Sequence, residues 1–109
     1  ERDLLENLRQ ELRRGTLILS VLSQMKEPKY GYALVQSLEE KGVEIEANTL
    51  YPLLRRLEKQ GLLKSEWDTQ EAKPRKYYRR TVLGDFMYEE MKKQWFAVSE
   101  TMNGLLREE

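Results

Sequence analysis

Between Ala47 and Arg80 the sequence sets nine cations, Arg55, Arg56, Lys59, Lys64, Lys73, Arg75, Lys76, Arg79 and Arg80, against four acids, Glu58, Glu66, Asp68 and Glu71. Nine minus four leaves a local excess of five positive charges. Lysine and arginine at this density suit one kind of chemistry, the neutralisation of a polyanion. Lysine acts as a point charge on phosphate, and arginine as a planar fork that binds phosphate or a base edge through two hydrogen bonds. Two segments carry most of them. In "NTLYPLLRRLEK", Asn48–Lys59, the cations share a helix-length stretch with Asn48, another residue type that can read a base through paired hydrogen bonds. In "KPRKYYRR", Lys73–Arg80, five cations and no acid are interleaved with Tyr77 and Tyr78.

The rest of the chain cancels this excess, since 19 Lys and Arg stand against 19 Asp and Glu over 109 residues. Glu39, Glu40, Glu44 and Glu46 lie just ahead of the basic region. A neutral protein with one basic face implies a polyanionic partner met from one side. Other chemistries are closed by composition. With no cysteine and no histidine, disulfides, thiolate catalysis, zinc-finger spacing and the commonest metal ligand and general base are all removed. The acids stand at ordinary helical surface spacings and nominate no catalytic site; neither a metal nor a cofactor is expected. No apolar run reaches membrane-spanning length, and "ERDLLENLRQELRRG" is charged and periodic rather than leader-like, so the expected compartment is the cytoplasm, with no membrane partner.

The elements that position these cations follow from periodicity. Leu4, Leu5, Leu8 and Leu12 recur at helical spacing, with Gly15 marking a break or a close packing point, and "TLILSVLSQM" reads as a buried helix at the centre of the core. "KEPKYGY" is a turn, and "YALVQSLEEKG" a short amphipathic helix with Ala33, Leu34 and Leu38 inward, stopped by Gly42. Leu50, Leu53, Leu54 and Leu57 mark the next helix, ended by Gly61. "LLKSEWD" and "RKYYRRT" read as two strands of a hairpin across "TQEAKP", with Trp67 expected to anchor the wing. From Val82 onward there is no proline, and Met91, Trp95, Val98, Met102 and Leu105 step by four, three, four and three, a coiled-coil type seam. The expected architecture is mainly α with a two-stranded β wing: a winged helix-turn-helix over residues 1–81 with its N-terminal helix, and a dimerisation helix over 82–109.

At about 100° per residue, the four leucines of the fourth helix fall within roughly 60° of Leu50, while Asn48, Pro52, Arg55 and Lys59 form the opposite stripe. Arg56 sits at its edge and Tyr51 on the other shoulder. A leucine-backed basic helix is most often simply solvated; the basic aromatic hairpin beside this one favours a helix for the DNA major groove. Arg55 and Asn48 suit base reading, Lys59 and Arg56 phosphate, and Lys73, Arg75 and Lys76 at the wing tip suit backbone or minor groove. Asn48 or Thr49 could instead cap the helix, and Pro52 implies an irregular opening turn. One of the paired tyrosines is expected to pack inward.

The chain resembles the PadR family of bacterial winged-helix transcriptional regulators, through "YGYALVQSLEEKG", "NTLYPLLRRLEKQGLLKSEW", "RKYYRRT" and Gly84 in family order, over roughly Leu12 to Gly84. The resemblance implies a homodimeric repressor on an inverted-repeat operator in double-stranded DNA, its terminal helices forming the dimer. Carried over to matching positions, Tyr32, Asn48, Thr49, Tyr51, Pro52, Arg55, Lys73, Arg75 and Lys76 face DNA. The pattern is departed from in three places: Tyr30 stands for a frequent histidine, the pair Glu46 and Ala47 for serine and proline, and Arg80 for leucine. The dimer interface is expected from Leu5 and Leu8 together with Met91, Trp95, Val98, Met102 and Leu105. By similarity to multidrug-responsive relatives, Trp95, with Leu8 and Leu12, could also line a site for a small aromatic or phenolic effector; packing is the plainer reading of that tryptophan. A winged-helix module for acidic protein or RNA is the competing class.

Overall fold

A computed structural model describes residues 1–70 and 72–108; Glu71, part of the expected hairpin loop, and Glu109, part of the expected dimerisation helix, lie outside the described residues. The helices are α1 (Arg2–Arg14), α2 (Leu17–Ser23), α3 (Gly31–Glu40), α4 (Ala47–Lys59) and α5 (Val82–Arg107); the strands are β1 (Lys29–Tyr30), β2 (Leu63–Asp68) and β3 (Arg75–Arg80). This is the expected winged helix-turn-helix order with terminal helices.

The core forms where the apolar faces of the middle helices meet. Val21, Leu22 and Met25 from the α2 region, Leu34 and Leu38 of α3, Leu50, Leu53, Leu54 and Leu57 of α4, Leu63 of β2 and Tyr78 of β3 are buried together. Four leucines at i, i+3, i+4 and i+7 thus pin α4, each fully buried side chain adding about 2 kcal/mol of transfer free energy. Ala33, expected inward with them, is half-buried.

Glycine closes α3 and α4 in the same way. Gly42 (φ 90°) and Gly61 (φ 83°) take left-handed backbone that side-chain-bearing residues rarely adopt. After α4, Gly61 N donates to Glu58 O and Leu62 N to Leu57 O, both at 3.0 Å; after α3, Gly42 N donates to Glu39 O at 3.0 Å and Val43 N to Leu38 O at 2.8 Å. Both are the six-to-one, five-to-two pattern of a Schellman stop. At α4 it turns the chain straight into the wing.

The sheet holds one more strand than the sequence predicts. Its order is β1-β3-β2, all antiparallel, because Lys29 and Tyr30 in the expected turn pair with Tyr78 and Tyr77. Two residues are too few to show an alternating pattern, so nothing within the segment itself separates a strand from a turn. In the β2–β3 register Ser65 faces Tyr78 and Glu66 faces Tyr77. Tyr78 is buried and Tyr77 lies on the opposite face, so one tyrosine does pack inward. Trp67 corrects another expectation: it is 63% exposed and does not anchor the wing to the core. It lies at the far end of β2, beyond the reach of the helices that cover Leu63.

α5 starts on Thr81, whose hydroxyl accepts from Gly84 N at 2.9 Å and donates to Gly61 O at 2.6 Å. One side chain therefore caps α5 and ties it to the stop of α4. Gly84 is buried, and a Cβ there would strike the Leu62 carbonyl, so glycine is what allows α5 this close. Tyr88 and Met91 pack on the core. Beyond them α5 is largely exposed, and α1 has no buried residue, touching the body at its last turn where Arg13 Nη2 donates to Glu44 O at 3.3 Å.

Candidate nucleic-acid interface

α4 presents the predicted stripe. Asn48, Thr49, Pro52, Arg55, Arg56 and Lys59 are all exposed on the side away from the buried leucines. The first turn differs from expectation in one respect: the N-cap is Glu46, in extended backbone, with no side-chain capping bond, so neither Asn48 nor Thr49 caps the helix. The opening turn is instead tightened, since Thr49 N and Leu50 N both donate to Glu46 O at 2.9 Å. Pro52 stands in the sixth helical position, deeper than a first-turn proline. Lacking N–H, it cannot bond the Asn48 carbonyl, which matches the irregular opening the sequence implies. The result leaves the side chains of Asn48 and Thr49 outside any capping role.

Tyr51 has a structural task as well. Its ring lies against Gly31 at the start of α3, so closely that any Cβ at that position would overlap the phenol. The glycine lets two helices of the helix-turn-helix close on an aromatic ring. Tyr32, on the neighbouring turn, is exposed on α3.

The wing and α4 meet in a basic groove. Arg55, Arg56, Glu58 and Lys59 of α4 and Lys76 of β3 line a depression of about 580 Å³. Its acid is already engaged: Glu58 Oε2 accepts from Ser65 Oγ of β2 at 2.5 Å, a bond that fixes the wing against the helix. Four cations from two elements thus face one space. Lys73 and Arg75 are exposed further along the wing, and Lys76 Nζ stands 5.5 Å over the Tyr78 ring.

Two cations counted in the sequence stretch serve the fold. Arg79 pairs with Glu66 at 3.5 Å on the outer wing face. Arg80 turns inward, with only 13% of its side chain exposed; Nη1 donates to Leu22 O at 3.0 Å, and Nε stands 3.0 Å from Asp85 Oδ1 as a charge pair without hydrogen-bond alignment. Its guanidinium also lies 4.5 Å from the Tyr88 ring centre. Where leucine would only fill space, this arginine joins α2, β3 and α5.

Sequence reasoning missed the outer wing face. Tyr30 OH donates to Asp68 Oδ2 at 2.7 Å, and Tyr77 OH to Glu66 Oε2 at 3.2 Å. The tyrosine bond holds the Asp68 carboxyl below its ordinary value, with the Gln70 backbone N–H and Arg75 adding to the effect. The Glu66 bond pushes the Tyr77 phenol up. The signal was available, since period-two spacing places Glu66 and Asp68 on one face of β2.

The remaining predicted residues lie on the terminal helices. Leu5, Leu8 and Leu12 are exposed, as are Trp95, Val98, Met102 and Leu105; Met91 is half-buried against the chain's own core. Trp95 stands edge-to-face with Phe96 at 5.7 Å. Within one chain α1 buries no residue against α5, so Leu8 and Leu12 do not enclose Trp95.

A three-helix core with α4 backed by leucines, a hairpin wing beside it and cations lining the space between defines a winged helix-turn-helix protein of the DNA-binding class. The chain belongs to the PadR-like family of transcriptional regulators, whose family description matches residues 18–90. It is 36% identical over 75 residues to a transcriptional regulator of Mycobacterium tuberculosis, covering 68% of this chain and 70% of that one. A PadR family regulator from Eggerthella lenta shares 55% identity and superposes with a TM-score of 0.90 over 96% of this chain and 94% of that one. A PadR-like regulator from Bacillus cereus shares 33% identity at a TM-score of 0.79, over 88% and 96% of the two chains. The family is one of regulators, not enzymes, and among the described residues no helix is long and apolar enough to cross a membrane.

Proposed function

We propose that the protein is a cytoplasmic, homodimeric repressor that sets α4 of each protomer in successive major grooves of an inverted-repeat operator, with the wings on the flanking backbone. The observation that carries this reading is the groove in which Arg55, Arg56 and Lys59 converge with Lys76. A helix about 12 Å across with its cations on one side fits the major groove, and the wing cations then meet phosphates on either side. Arg55 and Asn48 read bases; Arg56, Lys59, Lys73, Arg75 and Lys76 hold phosphate; Tyr32, Thr49, Tyr51 and Pro52 contact the backbone near the helix start.

Residues 1–81 form the DNA-binding unit, and 82–109 serve dimerisation. The exposed stripes Leu5, Leu8 and Leu12 on α1 and Trp95, Val98, Met102 and Leu105 on α5 support burial between two copies, because such a length of unpartnered apolar helix is rare on a monomer. A small aromatic effector seated against Trp95, with the partner's α1 closing over it, would change the separation of the two α4 helices and so the fit to sites one turn, about 34 Å, apart.

The test is selection of bound fragments from a random DNA pool by the purified protein, followed by binding of variants to the recovered site. Lys59→Ala and Lys76→Ala are expected to weaken every sequence alike and to flatten the salt dependence, while Arg55→Ala costs about 1–3 kcal/mol and relaxes preference at one position of each half-site. Recovery of no common sequence, with equal binding to RNA or acidic protein, would instead favour an interaction module. For the effector, planar aromatic dyes should quench emission in the native protein and not in Trp95→Phe; quenching that persists in the variant removes this site.

A further inference from the structure

On the outer face of the wing a second cavity of about 500 Å³ is lined by Pro28, Tyr30, Trp67, Asp68, Thr69, Gln70 and Tyr77. Its lining has the opposite character to the basic groove. Among the described residues it includes three aromatic residues and one charged side chain, the carboxylate of Asp68. The two tyrosines meet edge-to-face at 6.0 Å and 85°, so their rings wall the space at near right angles. Tyr30 OH is spent on Asp68 and Tyr77 OH on Glu66, which turns the hydroxyls to the acids and fixes both rings. The chain already demonstrates what such a ring attracts: the Arg75 guanidinium lies 5.3 Å from the Tyr30 ring centre.

We propose that this wing cavity is a binding site for a small organic cation of the alkylammonium class, held by the faces of Tyr30 and Tyr77 and by the Asp68 carboxylate. Aromatic faces carry negative charge density and bind an ammonium most strongly when its other contacts are apolar, as Pro28 and the rings supply here. A phosphate or carboxylate ligand would meet Asp68 as a like charge, which separates this site from the nucleic-acid groove. Asp68 remains ionised at neutral pH, because its carboxyl sits below the ordinary value. The site stands independently of the DNA reading, since none of its lining residues belongs to α4. Its occupation would nevertheless compete with Arg75 for the Tyr30 face, giving a cation a route to the wing.

The experiment is a titration of the whole labelled protein with tetramethylammonium chloride, followed by amide and indole chemical shifts, against sodium chloride at matched ionic strength. Saturable shifts are expected at Trp67, Asp68, Gln70 and Tyr77 with tetramethylammonium alone, about tenfold weaker in Asp68→Asn because one of the two attractive elements is lost. Arg75→Ala, which vacates the Tyr30 face, should tighten binding. Equal shifts with sodium, or saturation unchanged in Asp68→Asn, would overturn the site. Absence of shifts in both the native protein and Arg75→Ala would do the same, because the chain's own guanidinium could then not account for the failure.

Discussion

Gly84→Ala and Gly104→Ala are the same chemical change in the same helix, and the structure assigns them opposite signs. Alanine is a better helix former than glycine by about 0.8–1.0 kcal/mol, so both substitutions gain that much in α5. At Gly104 nothing lies within 4 Å of the added carbon, and the gain should appear whole. At Gly84 the carbon meets the Leu62 carbonyl oxygen, with the carbonyl carbon at 3.0 Å and Arg80 Cβ at 3.4 Å. The obstacle is backbone, so it cannot swing aside as a side-chain tip would. Overpacking of this kind costs about 1–3 kcal/mol, and the upper end applies where relief means moving a helix. Loss of about 3 less a gain of about 1 leaves roughly 2 kcal/mol of destabilisation. For a domain of this size that lowers Tm by roughly 8–10 °C, while Gly104→Ala raises it by a few degrees. Thermal unfolding by circular dichroism at one fixed protein concentration checks both, concentration being held because association would shift Tm. A Gly84→Ala protein as stable as the native one would refute the close approach of α5 to the end of α4.

Three further outcomes follow from named contacts. Arg80→Leu should cost about 1.5–3 kcal/mol, the worth of a charged hydrogen bond to the Leu22 carbonyl, and Arg80→Ala more because the stem is buried too; denaturant unfolding measures the difference. Thr81→Val keeps the shape and loses the bonds to Gly61 O and Gly84 N, for about 1–2 kcal/mol by the same unfolding measurement, with Thr81→Ser near native. Asp68 has a lowered carboxyl, so its contribution to stability is complete above the ordinary value of 3.8 and is lost as pH falls through the lower folded value. Tyr77 has a raised phenol, so its contribution is complete below the ordinary value of 10.0 and is lost as pH rises through the higher folded value. Native stability should therefore fall at both extremes, with Asp68→Asn removing the acid limb and Tyr77→Phe the alkaline one in unfolding curves taken across pH.

Periodicity made α4 legible, because four leucines at helical spacing say which side is inward and therefore which side carries the cations. Gly42 and Gly61 were legible for a similar reason, each standing just past the C-cap of its helix in backbone that glycine tolerates. What escaped depended on chain segments meeting at a distance. β1 is two residues long and exists only because β3 offers it partners. Charge counting gave Arg79 and Arg80 to the basic surface, yet strand alternation and a buried carbonyl take Arg80 inward. Residue type alone makes Trp67 look like an anchor, and its exposure follows from where β2 outruns the helices. The aromatic cavity needed three strands in register, which no single segment specifies.

Exposure on the terminal helices has a different origin from exposure on the wing. Along α5 the buried Gly84 and half-buried Tyr88 and Met91 occupy the same stripe as Trp95, Val98, Met102 and Leu105, so one continuous face changes from covered to open where the body ends. A helix of 26 residues is about 39 Å long, and only its first turns reach the core. Propensity cannot hold the rest, since isolated helical stretches of this length are marginal in water. The apolar stripe is thus left unpartnered within the chain, and α1, with its own leucine stripe and no buried residue, presents the complementary lack. In the proposed dimer a partner copy would resolve both at once by the reciprocal use of one surface, which would tie dimerisation to the stability of α5 rather than adding it afterwards. Dilution should then lower α5 helicity and operator affinity together, whereas loss of affinity with helicity unchanged would separate the two.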